Sequence, residues 1–228
     1  LSFLLSSIFT KGGLEAHSQD ELKQIFAGES VSVGFSVDDD AFTLTGQTNP
    51  EDLLTQLTMM RAYFTNPGFR PEATTEFMRA LDYIYQQLER TPGGFAQDEV
   101  ANFLHQGDDR FGYPSREAVE SLTTEDAKVW IESDLKEGYL EVSVVGSFDP
   151  EAAIEALSAT LGNLPNRAAE KPDYTKEREV GFPEATAKVF EFDSEIPKGM
   201  AVVHWPTTDI YDIKTSRRLG MLSAILDD

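Results

Sequence analysis

The chain has 228 residues, in which 40 acidic and 19 basic side chains give a formal net charge of -21. A protein that binds nucleic acid neutralises phosphates with basic side chains, so this composition argues against that class. Cysteine is absent, which excludes disulfides, thiolate nucleophiles and cysteine-ligated zinc. The apolar stretches are far shorter than the roughly 18 residues that a membrane helix requires. The chain is therefore expected to be soluble and without a membrane partner, and the sequence leaves its compartment open between the cytoplasm and the periplasm.

Two helices are predicted at the start of the chain. The first ends at the glycine pair of residues 12–13, since glycine adopts the left-handed geometry that closes a helix. The second begins at Ser18, which has capping-box spacing to Glu21, and stops near Gly28. The opening residues contain neither an initiator methionine nor the basic region of a signal peptide. Together with a last helix that carries no C-cap signal, they predict a piece of a longer protein.

A β-hairpin is predicted next. Residues 31–37 and 41–47 alternate in polarity and are rich in β-forming side chains, and three aspartates, residues 38–40, separate them. Consecutive aspartates also occur in calcium loops, but an EF-hand requires glycine at its sixth position, where this chain has Thr43. A solvated hairpin turn is the favoured interpretation.

The middle of the chain is predicted to be helical. Asn49 caps a helix that has Pro50 at its first position. The buried stripe of this helix is expected to be Leu53, Leu54, Leu57, Met60, Ala62 and Phe64. Residues 71–90 carry apolar side chains at helical spacing and predict a long amphipathic helix.

Residues 91–94, Thr-Pro-Gly-Gly, are predicted to break that helix. A further helix is expected over residues 95–105, and Ser115 and Thr123 are expected to cap two more. These helices follow one another without an intervening strand, which indicates a helical layer.

A strand and a helix complete this part of the chain. Residues 139–145 alternate in polarity and predict the strand, and Asp149 with Pro150 predicts a helix that ends at Gly162. The order of helices, hairpin, helices, strand and helix is typical of an α+β fold. Helices are then expected to cover one face of a mainly antiparallel sheet.

Residues 166–185 are rich in charged residues and proline and predict a linker. Strands over residues 188–192 and 200–205 and a helix over residues 209–226 follow. A second unit is therefore predicted to begin near Thr186 and to be cut short.

The three histidines indicate no zinc site. His17, His105 and His204 lie in separate predicted elements, without the i, i+4 spacing that places two imidazoles on one helix face. His17 is interpreted as a loop residue and His105 as a cation near a helix C-terminus. His204 is predicted to be hydrogen-bonded and half-buried in an apolar strand.

Other catalytic patterns are weak as well. Asp108 and Arg110 lie in a glycine-bounded loop, where a local ion pair is favoured over a polar binding site. The chain contains no G-x-S-x-G nucleophile motif, and carboxylate pairs carry little information in so acidic a sequence. The residues alone indicate a noncatalytic α+β segment.

Considered as a whole, the pattern resembles the insulinase/pitrilysin family of zinc metallopeptidases, which includes the mitochondrial processing peptidase. The order and spacing of several segments within residues 1–165 carry the resemblance. These segments are SFLLSSIFTKGG, SQDELKQIFAG, NPEDLLTQLTMMRAYFTNPGFRPEA, GDDRFGYPSREAVESLTTEDAKVWI and YLEVSVVGSFDPEAAIEALSATLGNLP.

The resemblance implies a degenerate metal site. Active members carry H-x-x-E-H on the first helix, where two histidines bind zinc and the glutamate polarises water, and a second glutamate ligand follows on a later helix. Here Ser2 and Ser6 stand at the histidine positions and Leu5 at the glutamate position. The later helix offers only Asp82 where the second glutamate is expected. Hydroxyls are poor zinc ligands and leucine accepts no proton, so no catalytic or metal-ligating residue is predicted.

The family resemblance also predicts the domain plan. Residues 1–165 are expected to form a processing-peptidase-like domain with a truncated N-terminus, 166–185 a linker, and 186–228 the start of a second similar domain. Such domains pair in two halves that close around a peptide, and commonly only one half holds zinc. This chain is expected to belong to the noncatalytic half and to pair with the catalytic half of the same protein or with a homologous subunit. The alternative is a purely structural subunit derived from the same family.

Overall fold

The structure, a computed structural model, describes residues 1–184, 186–193, 197–207 and 212–226. The chain divides into two compact units. The first unit contains residues 1–87 and 113–179, and the second contains residues 88–112 and 180–228. Within the described ranges, no helix is both long enough and apolar enough to cross a membrane.

Helices and one hairpin make up the regular structure of the described residues. Numbered in chain order, the elements are α1 (Ser2–Ile8), α2 (Gln19–Ile25), β1 (Gly34–Val37), β2 (Phe42–Thr45), α3 (Leu53–Thr65), α4 (Pro71–Arg90), α5 (Pro92–Phe95), α6 (Ala101–Leu104), α7 (Arg116–Glu120), α8 (Thr124–Glu137), α9 (Pro150–Ala159) and α10 (Ile213–Leu226). A π-helical turn, Ala96–Val100, joins α5 to α6, and a 3₁₀ turn, Leu161–Asn163, follows α9.

The helix starts follow the caps that the sequence predicts. At α2 the Ser18 hydroxyl accepts from the Glu21 amide at 3.3 Å, and the Glu21 carboxylate accepts from the Ser18 amide at 2.7 Å. The same reciprocal pair joins Thr123 and Asp126 at α8, at 3.2 Å and 2.8 Å. Each pair satisfies two amides that the first turn of a helix leaves without partners. The predicted caps are confirmed at Ser18, Ser115, Thr123 and Asp149.

The predicted start of α3 is wrong by three residues, because Asn49 organises a turn and not the helix itself. Its side-chain oxygen accepts from the Asp52 amide at 2.8 Å, and its amide nitrogen donates to the Asp52 carboxylate at 2.9 Å. Of the six residues in the predicted buried stripe, only Leu57 is fully buried; 53% of Leu54 is exposed, and the other four are partly buried. Gln56 lies in the interior instead.

A buried glutamine explains that shift. The side-chain amide of Gln56 donates to the Ser32 carbonyl at 2.8 Å and accepts from the Ser32 amide at 2.9 Å. The pair of bonds reproduces what a neighbouring strand would supply to a backbone residue. Because a buried polar group must find partners, Gln56 ties α3 to the segment that leads into β1.

The predicted hairpin is confirmed, and aromatic rings attach it to the helices. β1 and β2 pair antiparallel with Gly34 opposite Thr45. Phe9, which follows α1, stacks on Phe35 with ring centroids 4.2 Å apart. On the other strand Phe42 meets Trp130 of α8 edge to face at 5.1 Å. The hairpin is thus held between α1 and α8 by side chains on both of its strands.

The interior of the first unit is apolar and draws on most of its helices. Its most deeply buried large side chains are Leu4, Leu5, Ile8, Phe9, Leu81, Val119 and Ile131. The predicted long amphipathic helix is confirmed as α4, which within this unit buries Phe77, Leu81 and Tyr85 at the spacing of one helix face.

The antiparallel-rich sheet predicted from the sequence is smaller in the structure. The described residues form a sheet of two strands only, β1 and β2. Residues 139–145, 188–192 and 200–205 were each expected to be strands, and all three lie outside any ladder. Their alternating patterns favour an extended backbone, but a strand also requires a hydrogen-bonding neighbour, and the pattern does not specify one.

The second unit contains an interrupted helix. The break expected at residues 91–94 is confirmed at Thr91, which has an extended backbone directly after the last residue of α4, Arg90. It is wrong for residues 92–94, because Thr91 caps α5 by accepting from the Gly94 amide at 3.0 Å and Pro92 occupies the first helical position. The helix then continues through the π-helical turn into α6, close to the predicted span of 95–105. The last predicted helix is confirmed as α10, although its expected first residues, 209–211, lie outside the described ranges.

Aromatic side chains hold the second unit together around residues 188–192. The ammonium of Lys188 lies 4.2 Å from the ring centroid of Phe103 and 4.6 Å from that of Phe190. Phe95 of α5 stacks on Phe192 at 5.1 Å. The segment predicted as a strand is therefore fixed by side-chain packing.

Candidate functional site

The first helix presents hydroxyls on its exposed face and apolar side chains to the core. Ser2 and Ser6 are exposed and one turn apart on α1. Leu5, between them in sequence, has no exposed surface. A carboxylate at position 5 would be buried in apolar surroundings. Burying an ionised carboxylate there costs roughly several kcal/mol of folding free energy unless the group is neutral or paired.

Aromatic rings border the same helix. Phe3 meets Phe77 of α4 edge to face at 5.2 Å and Tyr113 at 5.4 Å. The hydroxyl of Ser7 donates to the Phe3 carbonyl at 2.9 Å, within the helix. These contacts give α1 a structural role, because they pack it against α4 through apolar surface.

Asp82 on α4 is the acid that the sequence offers in place of a second glutamate ligand. Its carboxylate forms an ion pair with Arg116 of α7. The Arg116 guanidinium also donates from Nε to Glu120 at 2.7 Å. Glu120 first, and then Asp82, raise the pKa of Arg116 above its usual value. The structure thus places Asp82 in a network of α4 and α7.

The three histidines occupy different local environments in the described structure. His17 lies exposed in the loop before α2, as expected. His105 follows α6, where its Nδ1 lies 2.7 Å from the Ala101 carbonyl and its ring stacks on Phe111 with centroids 3.5 Å apart. The half-buried environment predicted for His204 is wrong, since this residue is exposed beside an equally exposed Trp205. An alternating pattern predicts burial only where another element covers the segment.

The residues at the degenerate motif do not fit a zinc ion. A catalytic zinc takes three protein ligands from imidazole, carboxylate or thiolate groups. Here α1 offers the hydroxyls of Ser2 and Ser6, and Asp82 is already paired with Arg116. In the part of the chain that the structure describes, no three His, Cys, Asp or Glu side chains converge as a ligand group would. No catalytic step through zinc follows from these residues.

The aspartate turn is more than the solvated turn that the sequence predicts. Asp38 and Asp39 are exposed, and Asp38 accepts from the Thr43 hydroxyl at 2.5 Å. Asp40 instead lies half-buried, 3.1 Å from the Arg178 guanidinium and 3.7 Å from the Lys171 ammonium. The sequence offers no signal for this pairing because 138 residues separate Asp40 from Arg178.

The loop of residues 107–112 contains the local ion pair that its composition predicts. Arg110 Nε lies 3.0 Å from both carboxylate oxygens of Asp108. These hydrogen bonds lower the pKa of Asp108 to about 2. The Asp108 carboxylate is thereby held ionised beside Arg110. The local ion pair that the sequence predicts for this loop is confirmed.

The second half of the chain matches a known protein family. Residues 121–228 match the model described as the peptidase M16 inactive domain. The chain resembles the insulinase/pitrilysin peptidases, as its sequence predicts. The matched region begins beside the Thr123 cap of α8 and continues through α9 to α10. Among curated proteins, no sequence matches the chain significantly.

Solved structures of proteases share the fold. The periplasmic protease PqqL from Escherichia coli matches with a TM-score of 0.63 and 14% identity, over 83% of this chain and 21% of that one. A mutant of the ferredoxin protease FusC, in complex with Arabidopsis ferredoxin, matches with a TM-score of 0.56 and 16% identity, over 75% of this chain and 19% of that one. A protease from Helicobacter pylori matches with a TM-score of 0.57 and 14% identity, over 75% of this chain and 42% of that one. The chain spans about a fifth of the first two proteins and about two fifths of the third.

Proposed function

We propose that this chain is a noncatalytic domain of a zinc metallopeptidase that cleaves peptides. The observation that carries the proposal is the match of residues 121–228 to the inactive domain of this peptidase family. The motif positions support it, because Ser2, Leu5 and Ser6 supply neither zinc ligands nor a general base. Zinc is then bound by the catalytic half of the parent protein or by a homologous subunit, which is the partner of this chain.

In this proposal the chain forms part of a chamber wall and contacts the substrate. Two properties support that role. The net charge of -21 produces a field that attracts basic peptides from solution. In addition, the structure of FusC, a protease of similar fold, is a complex with a second polypeptide, ferredoxin. The substrate class proposed here is therefore an unfolded peptide with basic residues.

Hydrolysis of a fluorogenic basic peptide by the purified 228-residue chain tests the noncatalytic role. We expect no turnover with added zinc and no change with a chelator. Turnover that a chelator abolishes would contradict the proposal, because it would require a metal site in this chain.

A binding assay separates substrate contact from a purely structural role. A labelled basic peptide is compared with an acidic peptide of equal length at low and at physiological salt. The proposal predicts preferential binding of the basic peptide that weakens as salt increases. Equal and negligible binding of both peptides would favour the alternative, a structural subunit that holds partners together.

A further inference from the structure

Part of the segment predicted as a linker is docked on the first unit at two points. That unit includes the chain up to residue 179. One point of contact is Arg167, on the C-terminal end of α8, and the other is Arg178, beside the hairpin turn. We call residues 168–178, which run between these two points, the strap.

Arg167 attaches the first end of the strap to α8. Its guanidinium donates to the Leu135 carbonyl at 2.6 Å and to the Gly138 carbonyl at 2.8 Å. The amide of Ala168 donates to the Glu137 carbonyl at 2.8 Å. Carbonyls at the C-terminal end of a helix have no intrahelical donors, and a basic side chain that reaches them acts as a cap. This end of the strap is therefore held by several hydrogen bonds to one helix.

Ion pairs attach the other end of the strap to the hairpin. Asp40, in the turn between β1 and β2, lies 3.1 Å from the Arg178 guanidinium and 3.7 Å from the Lys171 ammonium. The Asp40 side chain is 14% exposed, whereas that of Lys171 is 55% exposed. A carboxylate that is largely removed from water requires charged or hydrogen-bonding partners, and ion pairs with an exposed member are weakened by salt. The contacts with Asp40 therefore favour a closed strap and depend on ionic strength.

Between these two points the strap lies on the surface. Each residue from 169 to 177 is exposed. The Arg178 amide donates to the Tyr174 carbonyl at 3.0 Å, and the Thr175 hydroxyl donates to Asp173 at 2.6 Å. These hydrogen bonds join neighbours within the strap, and a single turn has little stability without packing. A segment with few buried contacts opens at a low cost in free energy.

The strap borders a cleft of about 560 Å³ in the first unit. The cleft lies beside β2 and α8, and Trp130 of α8 belongs to its lining. The strap contributes Lys171, Pro172 and Tyr174 to the same lining, which also includes Asp40. Release of the strap from Asp40 would therefore remove one wall of the cleft.

We propose that the strap is a lid on this cleft, with Arg167 as its pivot and the ion pairs of Asp40 as its latch. In the open state the strap leaves the hairpin turn, while Arg167 stays on the end of α8. Ionic strength sets the balance between the two states, because salt screens the charges of the latch and has less effect on hydrogen bonds to neutral carbonyls. The lid is a property of this fold and does not depend on the peptidase role proposed above.

Amide hydrogen exchange of the 228-residue chain, followed by NMR, measures the two ends of the strap separately. The Ala168 amide reports on the pivot, and the Arg178 amide reports on the latch. Between about 0.05 M and about 1 M sodium chloride the Debye length falls severalfold. Over this range we expect exchange of the Arg178 amide to accelerate at least about threefold relative to the Ala168 amide.

Two neighbouring aspartates provide matched variants. Asp40→Asn removes the charge of the latch and keeps the size of the side chain, so the Arg178 amide is expected to exchange about fivefold faster at low salt. The dependence on salt is expected to disappear in this variant. Asp39→Asn removes one charge from an exposed position of the same turn and is expected to behave like the unaltered chain. When Asp40→Asn is combined with Arg178→Gln, the acceleration is expected to be smaller than the product of the two single accelerations.

Tryptophan quenching tests whether the strap covers the cleft. The chain contains two tryptophans, and Trp205→Phe leaves Trp130, which lines the cleft, as the only fluorophore of this kind. In that background Asp40→Asn is expected to raise the acrylamide quenching constant at least about 1.5-fold, because the open strap exposes the cleft. Asp39→Asn is expected to leave the quenching constant unchanged.

The contrary results concern different parts of the proposal. An Arg178 amide that stays protected at high salt and in Asp40→Asn rejects the latch, as does equal exchange in the Asp39→Asn and Asp40→Asn variants. An Arg178 amide that exchanges at low salt as fast as in an unfolded chain rejects the closed strap. Ala168 and Arg178 amides that exchange in parallel reject the pivot. Quenching of Trp130 that Asp40→Asn does not change rejects the lid.

Discussion

The hairpin and the segment after α8 have similar sequence patterns and different structures. Residues 31–47 and 139–145 both alternate apolar and polar side chains. In the hairpin each strand has its pairing partner nearby in the sequence, because a short turn joins β1 to β2 and the two strands pair antiparallel. Residues 139–145 pair with no strand among the described residues and belong to no ladder. Alternation therefore predicts an extended conformation, whereas a sheet also depends on what lies beside it.

The largest predicted effect comes from removing the aromatic anchor of the hairpin. Phe9 is 1% exposed and contacts Phe35, Tyr63 and Phe69. Phe9→Ala is expected to lower the free energy of unfolding by about 3–5 kcal/mol, because it leaves a cavity in the core. The matched change in residues 139–145 is Val145→Ala. Because Val145 is 95% exposed, this change is expected to shift the free energy of unfolding by less than about 0.5 kcal/mol.

Urea unfolding of both variants measures this contrast. Equal effects would mean that residues 139–145 are packed in solution as firmly as the hairpin, and would remove the distinction between the two regions.

A second prediction concerns the buried face of α1. Leu5→Glu places an ionisable group at a position without exposed surface and is expected to destabilise the chain by about 2–4 kcal/mol. Ser6→Glu, on the exposed face of the same helix, is expected to change stability by less than about 0.5 kcal/mol. Thermal unfolding at neutral pH compares them, and a Leu5→Glu variant as stable as Ser6→Glu would show that position 5 is not in the core.

The exposed face of α1 allows a zinc affinity to be introduced without that cost. Ser2→His combined with Ser6→His places two imidazoles at i, i+4, the spacing that binds one metal ion. Calorimetric titration is expected to detect weak zinc binding, at least about tenfold tighter than in a Ser2→His and Ser7→His control with the wrong spacing. Equal affinities would mean that positions 2 and 6 do not share one face of α1.

Removing a helix cap is expected to have a smaller effect on stability, confined to one end of α8. Thr123→Ala removes the hydroxyl that accepts from the Asp126 amide at 3.2 Å and is expected to cost about 1 kcal/mol. Ser133→Ala, which removes an exposed hydroxyl further along α8, is the matched control for the lost hydroxyl. Amide exchange in the first turn of α8 measures the difference, and equal exchange in both variants would contradict the capping box.

The smallest predicted effect is on the pH dependence of the same cap. Hydrogen bonds from the Thr123 side chain and backbone lower the pKa of Asp126 below its ordinary value of 3.8. A carboxylate with a lowered pKa contributes stability above its unfolded pKa, and this contribution is lost as the pH falls through the folded value. We expect the first turn of α8 to fray in acid below about pH 4. Asp126→Asn, which keeps an acceptor but does not titrate, should remove this dependence in an NMR titration.

Sequence analysis predicted local features well and distant pairings poorly. The capping box at Ser18 and the cap at Thr123 are confirmed, because each depends on residues three positions apart. The pairing of Asp40 with Arg178 was missed because the partners lie far apart in the sequence. The burial of Gln56 was also missed, since an amide is interior only when a backbone such as that of Ser32 receives it. The cleft beside β2 arises in the same way, from elements that the sequence pattern does not bring together.

The family resemblance depends on the order of many segments and not on single residues. It rested on the order of segments over residues 1–165, and it agreed with the model of the inactive domain over residues 121–228. Ser2, Leu5 and Ser6 gain meaning only against that background, because serine and leucine on a helix carry no chemical signal by themselves. Serine and leucine at these positions are therefore informative only in comparison with the H-x-x-E-H helix of active members.

The central claim is that this chain takes part in a peptidase without a metal site of its own. Elemental analysis after dialysis against micromolar zinc tests it most directly. We expect far less than one zinc per chain, with no change when Ser2 and Ser6 are replaced by alanine. One tightly held zinc per chain, lost in the Ser2→Ala and Ser6→Ala variant, would contradict it.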